Sequence, residues 1–339
     1  MNVKVTDPFG AARDKDFPTL ARALSPDIAR AEFKRRLPLL SADGILRLRA
    51  IRVTRHKPGR RCVAEYDVVI RRPNLVDRKV TLVGKSRHRR SGNEAFHLQR
   101  AIWESGFQSD SADGISVPEP VGVIPLFKMW FQRKIPGITV EDLLTSKQRL
   151  RLARRVTEAV HKLHCIDVHT AKRHTIEDEL LILEECLSGV ALAKPHLGGR
   201  LNKVFAACQR LASVTPPPIP CGIHRDFYPS QLIADGTRLW LLDFDLYCIG
   251  DPALDIGNFI GHVTEKALRE LGNAKALESV ERTIEDRFVE LCGEQSRAPV
   301  RTYTLLTLVR HIFLSTRFPE RVHVTERLLE LCESRLPLS

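Results

Sequence analysis

The chain has 339 residues, 43% hydrophobic and 28% charged, which excludes a disordered or fibrous chain and leaves room for two domains of ordinary size. No stretch approaches the roughly 20 apolar residues that span a bilayer, Met1 to Asp16 lacks the apolar core of a signal peptide, and the eight cysteines are scattered singly. A membrane partner, a disulfide framework and a zinc cluster therefore drop out, and the cytoplasm is the expected location. The net charge of +12 is confined to residues 1–140, which carry 27 Lys plus Arg against 14 Asp plus Glu; residues 141–339 sum to −1. With no nucleic-acid-reading module and few aromatics for stacking, that distribution fits a small basic lobe better than a nucleic-acid partner.

Residues 1–24 form an irregular approach, and Ser25-Pro26-Asp27 then opens a helix that runs to Arg36 and stops before Pro38. Alternating apolar and basic residues over 45–54, and an alternation rich in β-branched residues over 62–70, read as two strands joined by His56-Lys57-Pro58-Gly59-Arg60-Arg61, and 80–85 reads as a third that ends on Lys85. A helix follows over 93–103, then a loop over 106–120 rich in Ser, Asp, Gly and Pro, then a strand pair over 121–124 and 127–132. Beyond a division at 133/134 the pattern turns helical: 141–144, 149–164, 177–187, 201–211, 255–263, 265–293 with a break, 300–316 and 320–335. Glu177, Asp178, Glu179, Glu184 and Glu185 read as a solvated acidic face, or else as a wall that attracts an amine.

Among these helices, residues 219–257 concentrate the polar residues capable of phosphate and metal chemistry. Two strand-like runs, 219–223 and 238–244 with a turn at Asp235-Gly236, end at His224 and Asp243, so that Asp226 and Asp243 fall on loops held by strands. A loop fixed in this way can present a side chain to substrate, which suits catalysis better than core packing.

The sequence His224-Arg225-Asp226, Gln231 and Leu242-Asp243-Phe244-Asp245 resembles, in order and spacing, the catalytic segments of the protein-kinase-like superfamily. Its continuation, Gly250-Asp251-Pro252-Ala253-Leu254-Asp255-Ile256-Gly257, is similar to the ending of the aminoglycoside phosphotransferase and choline kinase-like branch. Tyr228 stands where a protein kinase has Lys, and only eleven residues separate Asp243 from Asp255, so no activation loop is available to dock a peptide. The resemblance implies a bilobal α+β fold. Residues 1–133 would form a small antiparallel β-sheet lobe with a helix that binds nucleotide, and residues 134–339 a larger, mainly helical lobe for catalysis and substrate.

By the same resemblance the chain is a small-molecule kinase that moves the γ-phosphate of ATP or GTP, with Mg²⁺, to a hydroxyl acceptor. Asp226 is then the catalytic base, and Asp243 and Gln231 are the metal ligands, with Gln231 departing from the commoner Asn. Lys85 contacts phosphates, aligned by Glu94 or by its rival Glu104; Lys57 and Gly59 belong to a turn over the phosphates; Phe131, Gln132 and Arg133 form the hinge to the base. His224 is a structural residue, and Asp255 caps or anchors the following helix. The alternative is an inactive nucleotide-binding scaffold, for which Gln231 and the lack of a full Gly-rich loop speak. The acceptor is not legible in the sequence.

Overall fold

The computed structural model describes residues 3–42, 44–72, 75–88 and 92–336. The chain divides into two units, Met1–Pro136 and Gly137–Ser339, a few residues beyond the expected division.

The first unit is built on β1 (Lys4–Thr6), β2 (Ile45–Lys57), β3 (Arg61–Arg71), β4 (Arg78–Arg87), β5 (Ile115–Ser116), β6 (Pro120–Ile124) and β7 (Met129–Arg133). Six of them form one sheet in the order β1-β2-β3-β4-β7-β6, antiparallel except for the parallel β1–β2 pair. Strict alternation along β3 buries Cys62, Ala64, Tyr66, Val68 and Ile70 on one face. The other face carries Arg47, Arg49 and Arg52 on β2 and Glu65 and Asp67 on β3, and both strands run beyond their apolar cores, β2 to Lys57 and β3 from Arg61. The six-residue connection thereby shrinks to a tight Pro58-Gly59-Arg60 turn, closed by the Arg60 N–H on the Lys57 carbonyl at 3.0 Å. Helices α1 (Thr19–Ala23), α2 (Pro26–Arg36) and α3 (Gly92–Glu104) accompany the sheet. Pro26 opens α2 as the sequence predicts, although Ser25 makes no side-chain cap. Phe33 of α2 meets Tyr66 and Phe131 edge-on, with ring centroids 5.2 and 5.3 Å away, and all three rings are fully buried.

The second unit begins with β8 (Ile138–Thr139) and α4 (Val140–Leu143), followed by α5 (Arg149–His164), α6 (Ile176–Ala193) and α7 (Gly198–Ser213). Four short strands follow, β9 (Cys221–Ile223), β10 (Leu232–Asp235), β11 (Arg238–Leu241) and β12 (Cys248–Gly250), and then α8 (Pro252–Leu271), α9 (Glu278–Cys292), α10 (Arg297–Arg317) and α11 (Thr325–Arg335). β10 pairs with β8 and β11, and β9 pairs with β12, all antiparallel. The expected interruption near residue 264 is absent: α8 runs on to Leu271, closed by Gly272 at φ 68. Together the two units make the expected α+β architecture, a small sheet unit followed by a mainly helical one. No helix among the described residues is long and apolar enough to cross a membrane.

Candidate active site

β9 is three residues long and is held in place by its neighbours. A Cβ on Gly222 would lie 2.0 Å from the Tyr247 hydroxyl, which donates to the Val168 carbonyl at 3.1 Å, so only glycine fits there. At the end of β9 the chain leaves the sheet through His224, and Arg225 takes a left-handed backbone, φ 66. One residue past Leu242, at the end of β11, Asp243 does the same at φ 62. Such conformations cost a non-glycine residue about 1–3 kcal/mol and persist where the surroundings over-determine them.

At Arg225 the surroundings are Asp255. This fully buried carboxylate accepts the His224 N–H on Oδ2 at 2.8 Å and the Arg225 N–H on Oδ1 at 2.7 Å, and His164 Nε2 donates to Oδ2 at 2.9 Å. Asp255 is therefore the anchor of the loop that carries Asp226, and the cap of α8 is Asp251, whose Oδ1 accepts the Ala253 N–H at 2.9 Å. Burial pushes the Asp251 carboxyl above its ordinary range. The second tie is His224 itself, buried between Phe227 and Phe244, with Nε2 donating to the Leu242 carbonyl at 2.8 Å. One ring thus joins the Asp226 loop to the residue before Asp243, the structural part expected of it.

A third tie comes from α8 and α10. Asn258 Nδ2 donates to the Phe227 carbonyl at 2.9 Å; Arg310 Nη2 donates to Asn258 Oδ1 at 2.6 Å, while its Nη1 reaches Glu179 Oε2 at 3.3 Å. Glu179 is buried and also bonds His174 Nε2 at 2.6 Å. Burial pushes its carboxyl up, but the bonds from His174 and the Arg310 charge outweigh that and hold it below the usual range. The acidic stretch is thus not one face. Glu179 is interior, Asp178 closes the capping box of α6 with Thr175, and Glu177, Glu184 and Glu185 are exposed.

Gln231 ends the turn Pro229–Gln231 and sits opposite Leu242, whose N–H donates to the Gln231 carbonyl at 2.9 Å; this register brings the two candidate metal ligands to adjacent strand ends. Gln231 Nε2 donates to Asp226 Oδ2 at 3.4 Å and to the Tyr228 hydroxyl at 3.2 Å, so its carboxamide oxygen is the atom left for a cation. Tyr228 is fixed in turn by stacking on His262, centroids 4.7 Å apart and 18° from parallel, and His262 meets His311 edge-on at 4.4 Å. Desolvation, with Arg310, Arg321 and Arg269 nearby, pulls His262 down to about 3 and His311 well below its ordinary value, so both rings are neutral. Ser230 donates to Glu141 of α4, which also faces Lys266 Nζ at 3.6 Å.

The donors at the two strand ends are hard oxygens, a carboxylate and an amide. Among the described residues no group of three or more His, Cys, Asp or Glu is placed to hold a metal. That sparse set fits Mg²⁺, which takes one or two protein oxygens and completes its shell with phosphate and water.

In the first unit, Lys85 lies within β4, opposite Val63 and Trp130, and its ammonium sits 5.3 Å from the Trp130 ring centroid. The strand continues past it to Arg87. Glu94 is exposed in the first turn of α3 and makes no ion pair with Lys85 among the described residues; Glu104 pairs with Arg100 at 3.5 Å. Gly59 needs its left-handed backbone, φ 60, but its N–H donates to Asp14 Oδ2 at 2.8 Å, an oxygen that also meets His56 Nε2 at 2.9 Å. Lys57 is exposed, and the charges of Arg61, Arg55 and Arg60, together with desolvation, lower its pKa. The side chain of Phe131 belongs to the core and that of Gln132 is buried. Arg133 forms an ion pair with Glu119 and donates its N–H to the Glu119 carbonyl at 3.0 Å.

Sequence reasoning placed Asp226, Gln231 and Asp243 together, and missed the Asp255 tie, Asn258, Arg310 and the Tyr228–His262 stack. The signal for Asp255 was a carboxylate in the first turn of a helix that already had a capping Asp at position 251.

Comparison with known proteins bears on the fold and the family. The chain is similar in fold to a choline/ethanolamine kinase family protein from Mesorhizobium loti, with a TM-score of 0.55, 17% identity, and coverage of 91% of this chain and 94% of that one. It is also similar to a thermostable mutant of aminoglycoside phosphotransferase APH(4)-Ia in ternary complex with ADP and hygromycin B, with a TM-score of 0.56, 12% identity, and coverage of 85% and 93%. A third similar structure is a Plasmodium vivax ethanolamine kinase, with a TM-score of 0.54, 11% identity, and coverage of 86% and 83%. No curated protein matches the sequence. Residues 95–282, which include every residue of the loop, its anchor and the second strand end, match the phosphotransferase enzyme family, and the chain belongs to it.

Proposed function

We propose that this phosphotransferase moves the γ-phosphoryl group of ATP, or of GTP, to a hydroxyl of a small molecule. The observation that carries the reading is the loop anchored by Asp255, which holds Asp226 against Gln231 one strand end away from Asp243. Asp226 orients the acceptor hydroxyl and receives its proton; Gln231, bonded to Asp226, holds that carboxylate in place. Asp243 and the Gln231 oxygen are the residues that would hold Mg²⁺, which when bound neutralises phosphate charge. Lys85, over the Trp130 ring, is the proposed phosphate contact of the first unit, and Lys57 adds a cation at the Pro58-Gly59 turn.

Two of the expected nucleotide contacts need restating in this proposal. The Gly59 and Arg133 N–H groups are engaged within the protein, and the Lys134 N–H donates to the Thr81 carbonyl at 2.8 Å, so backbone contacts to the base begin beyond Lys134. Support for a nucleotide and a hydroxylated acceptor also comes from the similar structures, of which one binds ADP and hygromycin B.

The test is thermal unfolding of the full chain with Mg-ATP, Mg-GTP and each component alone. Stabilisation should grow with the logarithm of nucleotide concentration over its dissociation constant, about 2.7 kcal/mol at a hundredfold excess. No shift at millimolar nucleotide, with calorimetry also silent, counts against the proposal.

A further inference from the structure

α8 has two working faces and α10 two working halves. Asp255, Asn258 and His262 lie along one face of α8 at helical spacing and hold the loop that bears Asp226, while Ile260 and Thr264 point about half a turn away. On α10, Arg310 and His311 belong to the half beside the loop, and Arg297, Arg301, Thr304 and Leu305 lie one to four turns earlier, in the first half of the helix. The far face of α8 and the first half of α10, with the start of α9 and the end of α11, enclose a cleft of about 590 Å³.

The charges that line this cleft do not cancel within it. Glu285 is bonded to Arg297 at 2.7 Å and Arg301 at 2.8 Å, Asp286 to Arg297 at 2.9 Å, and Glu278 to Arg282 at 3.4 Å. Glu281 accepts the Thr264 hydroxyl at 2.8 Å, and burial raises its pKa while the Thr264 bond and the Arg335 charge oppose the rise. Two cations remain: half-buried Arg335, at the end of α11 within electrostatic reach of Glu281, and exposed Lys275, neither of which makes an ion pair among the described residues. A planar guanidinium beside Glu281 and an exposed ammonium, neither held in an ion pair among the described residues, over an apolar floor of Ile260 and Leu305, suit an anionic head on a short apolar body.

We infer that this cleft is a second ligand site, separated from the phosphoryl-transfer site by α8, and that it takes a small organic anion, a carboxylate or a phosphate monoester, held by Arg335 and Lys275. The inference does not depend on the identity of the nucleotide or of the acceptor.

Calorimetry on the full chain with three probes tests it: butyrate, butyl phosphate and inorganic phosphate. Saturable binding of butyrate or butyl phosphate is expected, with the stronger of the two identifying the head group and inorganic phosphate weaker for want of the apolar body. Arg335→Ala should weaken that binding at least about tenfold, the scale of one charge-assisted contact. Lys275→Ala, at an exposed position that cannot unfold the protein, should weaken it by a smaller factor, and saturating Mg-ATP should not displace the probe. The inference is overturned if no probe binds saturably, if both variants bind as the parent does, or if Mg-ATP competes.

Discussion

Asp255 gives the sharpest handle on how this fold builds its site. The carboxylate is wholly buried and accepts three hydrogen bonds between 2.7 and 2.9 Å, two from the backbone of the Asp226 loop and one from His164. Each bond to a charged acceptor is worth about 1.5–3 kcal/mol, so the three set an upper bound of roughly 4.5–9 kcal/mol. Removing the carboxylate also removes its own desolvation cost, and the loop can relax toward water, which brings the expected loss for Asp255→Ala to about 3–5 kcal/mol. Asp255→Asn keeps the shape but turns an NH₂ toward a backbone N–H, and should lose about 2–3 kcal/mol. Urea unfolding, followed by circular dichroism, gives both values. Because Arg225 is held at φ 66 by one of these bonds, phosphoryl transfer by folded Asp255→Asn should fall more than its nucleotide affinity. A variant within 1 kcal/mol of the parent that also retains its turnover would refute the claim that Asp255 holds the loop.

Three further outcomes follow from the same geometry. Asp243→Gly removes the carboxylate while tolerating φ 62, so stability should change by less than about 1 kcal/mol while the Mg²⁺ dependence of nucleotide binding, read by calorimetry, disappears; retention of that dependence rules Asp243 out as the ligand. Gly222→Ala forces a methyl onto the Tyr247 hydroxyl and should cost about 1–3 kcal/mol, part of which Tyr247→Phe restores in the double variant; an additive double variant contradicts the contact. His262 has a folded pKa of about 3 against 6.5 unfolded, so the unfolded chain alone takes up this proton between those values and stability is lost as the pH is lowered across that window, by up to about 1.4 kcal/mol per unit. His311 adds to the fall in the same direction, and the stability profile of His262→Phe should be flatter than the parent's below pH 6.5; an equal slope shows that the His262 ring is not held neutral.

What could be read from the sequence was whatever short-range pattern specifies. Pro26 after Ser25 opened α2, alternation drew β2 to β4, and the spacing from His224 to Asp243 located the loop and its neighbouring strand end. What could not be read was pairing across the chain. Asp255 meets His164 and His224, and Gly59 meets Asp14, through contacts that no local pattern encodes. Glu94 as the partner of Lys85 is a pairing of the same kind, and a Glu in the first turn of a helix is equally well explained by the helix dipole. Glu179 misled because an acidic run looks solvated until Arg310 and a buried His174 are found beside one of its members. Phe131 was placed at a strand end that turned out to pack its ring into the core of the sheet.

The central claim is that Asp226 serves phosphoryl transfer to a hydroxyl. Its most direct test is transfer of labelled γ-phosphate from Mg-ATP or Mg-GTP to a library of hydroxylated small molecules, run side by side on the parent and on Asp226→Asn. The account predicts a labelled product with the parent and a fall in turnover of about 10²- to 10⁴-fold in the variant at nearly constant nucleotide KM, the mark of an interaction made in the transition state. Parental turnover in a folded Asp226→Asn, or nucleotide binding by the parent without transfer to any acceptor, would contradict it.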